Sequence, residues 1–331
     1  MFFLFFHPAG IHASICRMLI STLQRSLGAW LLLGVFAGAF AAEAGSSDAD
    51  EIARQVYAVS HNEDLDQAVS RRTGRLSSMV INRVPREMRQ GRKPYIQTFD
   101  TYINNRPADL EIDTLQMAIL TSGKAKGSGV LFTRFSDPQR SGVISLWLPA
   151  LRKVRQINEP AHDDTWFGTI ITYGELVLRT PEHETHEYLG EGILEACLAS
   201  MEFEPWEKNR YTQQLPGPQC AHKGKPVLRL KSTTRFENWW YDYHVTDIDQ
   251  ITYWPYRTVY FKGDRKIKSV WVDWQSLDQA DAALAYPRYI YALSHEDGKD
   301  SLVFVPRQTI SLNTDTPDSY WSLETMRSYL D

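Results

Sequence analysis

The sequence contains few cysteines, little net charge and no long apolar run. Its 331 residues include three cysteines, and 36 Lys and Arg against 40 Asp and Glu give a formal net charge of -4. Proteins that bind nucleic acids usually carry a basic surplus or stripe that neutralises phosphates, so this balance argues against a nucleic-acid partner. Hydrophobic residues make up 43% of the chain, which excludes a disordered tail protein. We expect a globular protein that needs neither a metal nor a disulfide merely to fold.

The apolar run near the N-terminus is too short to span a membrane. Ala29–Phe40 has about twelve residues, whereas a spanning helix needs roughly 20. The run follows Arg17 and Arg25 and closes on the small-residue pattern Ala39–Ala41, after which the sequence turns polar. This order of basic, apolar and small residues is typical of a secretory signal peptide. We therefore expect export, with a retained anchor as the alternative.

The signal peptide sets the expected domain organisation. We place it at residues 1–41, with Met18 as an alternative start. Residues 42–331 would then form a single soluble domain in the periplasm. No internal repeat or low-complexity tract divides this part of the sequence.

Two of the three cysteines would remain after the signal peptide is removed. In an exported chain an even pair favours a disulfide, here between Cys197 and Cys220. A bridge enclosing twenty-odd residues stabilises by roughly 3 kcal/mol in the loop-entropy account. The alternative is two unrelated buried thiols. We expect the bridge to staple an insertion rather than to perform redox chemistry.

Most of the mature sequence alternates with a period of two. This alternation and the regular Gly and Pro turns predict antiparallel strands, because a parallel return needs a crossover of a dozen residues or more. The predicted strands are 114–119, 143–148, 241–246, the hairpin of 256–261 with 267–274, and 302–305. A short amphipathic helix is predicted at 51–60, and a closing helix or turn at 319–330.

Residues 181–201 are ambiguous. Apolar side chains at four-residue spacing, from Leu189 to Met201, and the start Thr180-Pro181-Glu182 favour a helix that stops at Pro205. Two glycines, at 190 and 192, weaken that interpretation. Residues 203–224 are rich in Pro and Gly and are predicted to be irregular.

No sequence motif indicates catalysis. His183–His186 has the order H-E-x-H, one residue short of the H-E-x-x-H pair that holds zinc, and no further ligand is indicated. Asp163 and Asp164 are adjacent, and adjacent strand residues point to opposite faces, so a turn is the better interpretation. The glycine-rich stretch 123–129 lacks the P-loop order. We expect no enzyme activity, no cofactor and no metal.

Aromatic residues are dense in two regions, 147–173 and 239–274. Ordinary core packing explains any one of them, because aromatic residues favour strands and bury large areas. The density as a whole is also what an apolar pocket between a curved sheet and helices would need, and such a pocket suits acyl chains.

Two stretches resemble the exported outer-membrane lipoprotein-sorting protein family, related to the LolA and LolB carriers. Gly142–Ile157 resembles its strand pair W-L-Y-L-P-A-L-R-R-V-R-R-I, and Trp166–Leu176 resembles the sequel F-x-G-T-D-x-x-Y-E-D-L. In the sequel Ile170 replaces the acid, and Gly174-Glu175 stands for Glu-Asp. Similar segments at 49–52 and 253–261 extend the likeness over most of residues 49–274.

The resemblance implies a mainly β fold with short α-helices. The sheet would be a half-open, strongly curved antiparallel β-barrel with helices plugging its concave side. The family pattern would also make 186–191 a strand and the cysteine-containing stretch an insertion near 192–224. This conflicts with the helix favoured by spacing, and both interpretations stay open here.

The function that the resemblance implies is that of a periplasmic carrier or chaperone, shielding lipid or lipoprotein acyl chains without catalysis. An inner-membrane transporter is a plausible partner. The alternative is a lipid-free accessory module that docks on an envelope transporter. Which strand faces point inward is open, because a shift of one residue reverses them all. The candidate ligand-binding residues are Leu146, Trp147, Leu148, Trp166, Phe167, Tyr241, Tyr243 and Trp271.

Overall fold

The structure is a computed structural model that describes residues 40–63, 65–85, 91–137, 139–158, 161–277 and 284–329, without the side chains of 40–47. The expected signal peptide, apart from its last two residues, lies outside these ranges. Within them, every helix is too short or too polar to cross a membrane.

The described residues form one antiparallel sheet of fifteen strands. The strands are β1 Gln67–Ser70, β2 Ser78–Arg83, β3 Tyr95–Asn104, β4 Ile112–Leu120, β5 Gly129–Phe135, β6 Val143–Leu148, β7 Lys153–Ile157, β8 Glu184–Ile193, β9 Pro226–Thr234, β10 Tyr243–Asp249, β11 Pro255–Lys262, β12 Arg265–Ser276, β13 Ala285–Ser294, β14 Asp300–Phe304 and β15 Ile310–Leu312. Every strand predicted from alternation overlaps one of these, although residues 241–242 precede β10 and residue 305 follows β14.

The helices are few and short. They are α1 Phe40–Ser60 and α2 Leu323–Ser328, with single 3-10 turns at Pro149–Leu151, Trp166–Gly168, Pro181–His183, Pro205–Glu207, Thr212–Gln214, Arg307–Thr309 and Asp318–Tyr320, and one π-helical turn at Gly174–Leu178. The predicted helix at 51–60 is therefore the second half of α1, and the predicted closing helix is α2.

The sheet is open. Its strand order is β7-β6-β5-β4-β3-β2-β14-β13-β12-β11-β10-β9-β8, and β1 pairs with β3 and β15 beside this path. The consecutive strands β7 and β8 thus lie at opposite ends. The expected half-open, strongly curved barrel with short helices is confirmed. Residues 161–183, here called the crossing segment, connect the two ends along the inner, concave face.

Both faces of the sheet are apolar, because neighbouring residues of one strand pack into different clusters. Val80 of β2 and Val303 of β14 belong to the inner cluster, together with Trp166 of the crossing segment. Met79 and Leu302, one residue before each of those valines, belong to a separate outer cluster. A sheet of this kind needs cover on both sides to bury its apolar surface.

The inner face is covered by two elements. The crossing segment packs Trp166, Ile171 and Leu178 onto the strands around Phe99. Helix α1 packs Ile52 and neighbouring small side chains onto β9 and β10. Together these elements roof the concave side.

The outer face is covered by residues 194–225, here called the insertion, and by the C-terminal turn. Leu198 and Met201 of the insertion pack onto the outer cluster of the sheet. Cys197 and Cys220 form a disulfide across the insertion, with 4.2 Å between their Cα atoms, as the cysteine count predicts. The C-terminal Met326 is fully buried against β4 and β5.

The helix predicted from four-residue spacing at 181–201 is wrong. Residues 184–193 are strand β8, paired along its length with β9, and the alternative drawn from the family pattern holds. The spacing is a coincidence, since Leu189 and Ile193 are exposed at the sheet edge while Met201 belongs to the insertion. Gly190 has a φ of +102° at a register shift, a conformation that other residues rarely adopt.

Candidate ligand-binding cavity

An apolar pocket of about 230 Å³ lies inside the curved sheet. Helix α1 contributes its last residue, Ser60, and the crossing segment contributes Trp166. Side chains of the central strands form most of the floor, and the polar side chains in the lining include Asn62, Thr101 and Gln116. The principal lining residues are Phe99, Ala118, Val130, Phe132, Trp166, Tyr173, Leu176, Val303 and Val305.

A second pocket, of about 190 Å³, lies between α1, the crossing segment and the inner face of β8 to β13. We call it the polar pocket because charged and imidazole groups line part of its wall. These are His61, Glu175, Arg179, Glu184, His186 and His244. The rest of the wall combines apolar side chains with aromatic rings and the hydroxyl groups of Ser, Thr and Tyr residues.

The two pockets adjoin each other and the surface. Ser60, Leu176 and Pro287 line both the apolar and the polar pocket. A wider cleft of about 830 Å³, lined by Arg134, His162 and His183 among others, shares Tyr57 with the polar pocket. The cleft also shares Phe132 and Val177 with the apolar pocket, so it adjoins both pockets.

The crossing segment is shaped by a tight turn. Phe167 has a φ of 45° and Gly168 a φ of 71°, so two successive residues lie in the left-handed region. The hydroxyl of Thr169 donates to the carbonyl of Trp166 at 2.7 Å. This turn directs Trp166 to the inner face, where it contacts Phe99 edge-on at 5.3 Å between ring centroids.

Gly174 explains one departure from the family pattern. A Cβ atom at this position would lie 2.7 Å from the carbonyl oxygen of His162, a distance that real Cβ atoms do not reach. The backbone NH of Gly174 donates to that same carbonyl at 2.8 Å. The close approach therefore requires glycine where the resembling motif has glutamate, while Glu175 keeps an acid at the motif's aspartate position.

Glu175 forms a buried ion pair with Lys268 of β12. The Lys268 Nζ lies 2.5 Å from Glu175 Oε2, and both side chains are more than nine-tenths buried. Burial alone would raise the pKa of Glu175, but the charge and hydrogen bond of Lys268 outweigh it and lower that pKa. Burial lowers the pKa of Lys268 against the opposing effect of Glu175. The pair fastens the crossing segment to the sheet.

Arg179 and Glu184 form the second charged group of the polar pocket. Arg179 donates to the hydroxyls of Tyr241 and Tyr260 at 3.1 Å each, and its Nε lies 3.7 Å from Glu184 Oε2. Glu184 also accepts hydrogen bonds from Tyr241 at 2.8 Å and from His244 at 3.1 Å. Every polar atom of the carboxylate thus has a partner.

The pKa shifts in this group agree with a charged Arg179–Glu184 pair. Burial opposes ionisation of Glu184, but His244, Arg179 and the hydrogen bond from Tyr241 hold its pKa well below the usual range. Burial lowers the pKa of His244 although Glu184 acts to raise it. Arg179 carries a positive charge at any physiological pH and is the permanent charge beside the carboxylate. Burial raises the pKa of Tyr241 to about 12.

His61, just after α1, has one ring nitrogen without a partner. Its Nδ1 lies 2.8 Å from the carbonyl oxygen of Tyr57, and the two rings stack at 3.9 Å. Burial first, and then the charge of Arg134, lower the pKa of His61 to about 4. Its Nε2 is buried and forms no hydrogen bond with any described residue.

The candidate residues predicted from the sequence do not all come together. Trp166 lines the apolar pocket, and Phe167 and Leu146 pack into the same inner cluster. Tyr241 precedes β10 and lies in the polar network around Glu184. Trp147 packs on the outer side near α2.

The remaining candidates lie away from both pockets. Tyr243, predicted to face the same way as Tyr241, instead stacks on Phe261 at 4.8 Å beside Lys231. Trp271 stacks on Tyr291 in the outer cluster, and Leu148 ends β6 next to Lys153. Tyr241 lies before the first residue of β10, so alternation along that strand does not fix its direction relative to Tyr243.

The charged residues of the polar pocket were not predicted from the sequence to be site residues. Glu175 was the most detectable, since it stands at the acidic position of the resembling motif. Glu184 lies inside the H-E-x-H stretch and faces the pocket without a metal. The neighbouring His186 contacts Ser232 Oγ at 2.9 Å and the carbonyl of Pro181 at 3.0 Å. Within the described ranges, His, Cys, Asp and Glu side chains form no group of three or more that could hold a metal.

The fold is similar to three solved structures. A putative outer membrane lipoprotein-sorting protein domain from Vibrio parahaemolyticus has a TM-score of 0.61 at 12% identity, covering 85% of this chain and 99% of its own. A DUF1329 family protein from Desulfovibrio piger has a TM-score of 0.62 at 12% identity with the same coverage. A LolA superfamily protein from Nitrosomonas europaea has a TM-score of 0.50 at 11% identity, covering 84% and 98%.

The comparisons by sequence find nothing. No protein-family model and no curated protein matches the chain. The expected resemblance to lipoprotein-sorting proteins is therefore confirmed at the level of the fold.

Proposed function

We propose that this protein is a periplasmic carrier that shields the acyl chains of a lipid or lipoprotein from water and performs no catalysis. The observation that carries the proposal is the apolar pocket inside the curved sheet, roofed by α1 and the crossing segment. Exposing an acyl chain to water costs about 0.8 kcal/mol per CH2, so an apolar container is what transfer across an aqueous compartment requires.

The size of the pocket limits what it holds in this conformation. Pockets for drug-sized ligands usually measure about 300–1,000 Å³, and the apolar pocket has about 230 Å³. A long acyl chain would therefore extend into the polar pocket or displace part of the roof. The roof can be displaced without breaking the sheet, because α1 and the crossing segment contact it through side chains.

The solved structures of similar fold support this choice of cargo and compartment. One of them is described as a putative outer membrane lipoprotein-sorting protein domain. The disulfide between Cys197 and Cys220 suits an oxidising compartment such as the periplasm. An envelope transporter in the inner membrane that delivers or receives the cargo is part of the same proposal.

Lipid analysis of the purified protein tests the proposal. Native mass spectrometry and extraction with organic solvent should reveal bound acyl species on the wild-type protein. A Val130→Phe variant fills the apolar pocket and should lose them. Leu131→Phe is the matched control, since Leu131 is the next residue of β5 and packs on the outer side against the C-terminal turn.

The two variants add the same ring on opposite faces, so both incur the overpacking cost of about 1–3 kcal/mol. Loss of lipid in Val130→Phe alone would support the carrier. A wild-type protein that is free of lipid, and takes up none from vesicles, would contradict it and favour a docking module for a transporter.

A further inference from the structure

Two buried hydrogen-bond acceptors in the polar pocket have no partner among the described residues. They are Nε2 of His61 and Oε1 of Glu175. Both side chains line the polar pocket, and both are more than nine-tenths buried. Because neutral His61 donates from Nδ1 to the carbonyl of Tyr57, its Nε2 carries the lone pair. The two residues at the pocket wall thus carry acceptors that are closed off in this conformation, and a ligand that donates would have to shift neighbouring side chains to reach them.

The charges around these acceptors already cancel. Glu175 is paired with Lys268, and Glu184 with Arg179. A ligand carboxylate has no hydrogen to donate and would face two carboxylates. A ligand ammonium would add a positive charge beside Lys268 and Arg179, in a region where positive charges already lower the pKa of His61. The pocket suits an uncharged group.

We propose that the polar pocket selects an uncharged headgroup that donates hydroxyl hydrogen bonds, such as the glycerol of a monoacylglycerol, while the acyl chain occupies the apolar pocket. The shared lining residues Ser60, Leu176 and Pro287 mark where the chain would pass from one pocket into the other. This inference rests on the proposed carrier function and names the class of its ligand.

Titration calorimetry with three soluble ligands of one tail length tests the inference. The ligands are 1-decanoylglycerol, decanoate and decylammonium, each kept below its micelle concentration at pH 7. Decanoylglycerol should bind at least about tenfold more tightly than either charged ligand. This ranking is measured on the wild-type protein and does not depend on any variant.

A His61→Phe variant identifies the acceptor. It keeps the aromatic ring stacked on Tyr57 and removes Nε2. Loss of one hydrogen bond should weaken binding of decanoylglycerol about three- to tenfold and leave decanoate unchanged. His295→Phe is the matched control, because His295 lines neither pocket and contacts Ser269 instead.

The outcomes separate this inference from the carrier function. Equal affinity for all three ligands, tighter binding of a charged one, or no effect of His61→Phe would overturn the headgroup preference and leave the carrier intact. Absence of binding by every ligand, with Val130→Phe indistinguishable from wild type, would overturn the carrier itself.

Discussion

At the scale of single residues, the polar pocket depends on charges that satisfy each other. Arg179, Glu184, Tyr241 and His244 are held by hydrogen bonds of 2.8 to 3.1 Å and one ion pair. A buried pair adds little net stability over an apolar replacement, but removing one partner leaves the other charge unpaired. This asymmetry makes the network sensitive to single substitutions.

We expect Glu184→Gln to lower the free energy of unfolding by about 3–5 kcal/mol, because Arg179 would keep its charge in a buried site. Urea denaturation at pH 7 measures the change. Glu296→Gln is the control, since Glu296 pairs with Arg265 on the surface and its loss should cost about 0–1 kcal/mol. Equal effects of the two substitutions would contradict the role of the buried pair.

Asp249 should make stability depend on pH. The hydroxyl of Tyr256 and the backbone NH groups of Thr252 and Ile251 donate to its carboxylate, and with Lys225 they outweigh burial and lower its pKa to about 2. A folded-state pKa below the ordinary 3.8 stabilises the fold above about pH 4, and this contribution disappears as the pH falls towards 2.

The matching experiment compares Asp249→Asn with wild type in urea at several pH values. The variant should be less stable by about 2 kcal/mol at pH 6, and the difference should shrink between pH 4 and pH 2. A difference that stays constant over this range would show that the substitution acts through packing instead.

At the scale of secondary structure, the alternation of apolar and polar residues predicted the strands well. The four-residue spacing of apolar side chains wrongly favoured a helix at 181–201. The hairpin of β11 and β12 around Gly263 follows directly from its sequence. In β8 the long-range pairing with β9 decides the conformation, and no local pattern reports that pairing. Nor does the sequence show that β10 begins only at Tyr243, after Tyr241, or that Trp271 packs on the outer cluster, so the candidate site could be predicted only in part.

The insertion should depend on its disulfide. Leu194 and Lys225 pair at its base, and Cys197 and Cys220 close it further out. Replacing both cysteines by serine should lower the free energy of unfolding by roughly 3 kcal/mol in the loop-entropy account. Denaturation of the variant, and of the wild type with and without a reducing agent, measures this; a wild type that is unaffected by reduction would contradict it.

At the scale of the whole molecule, the sequence predicts a curved antiparallel sheet but not its order. Strand β14 lies beside β2, and this pairing joins residues that are more than 200 positions apart. Such pairing depends on the register of many strands together. The sequence also did not predict that the insertion and α2 cover the outer face. Their packing depends on which side chains of each strand point outward, and the sequence leaves this open.

Ligand binding should stabilise the whole fold. A ligand at a hundred times its Kd adds about 2.7 kcal/mol to the native state, which raises the Tm by about 4 °C for a domain of this size. Differential scanning calorimetry with 1-decanoylglycerol measures the shift. Val130→Phe should abolish it and Leu131→Phe should preserve it; a shift in both variants would place the ligand elsewhere.

The charges at the two open edges of the sheet affect how copies of this protein associate in solution. The end strand β7 presents Lys153 and Arg155 to solvent, whereas β8 presents Glu187 and Glu191. Two copies that tried to join through identical edges would set like charges against each other, which is unfavourable across an antiparallel pair. Identical edges therefore repel each other, whereas β7 of one copy and β8 of another carry opposite charges. The edge charges thus discourage a symmetric dimer and leave contact between β7 and β8 of different copies unopposed.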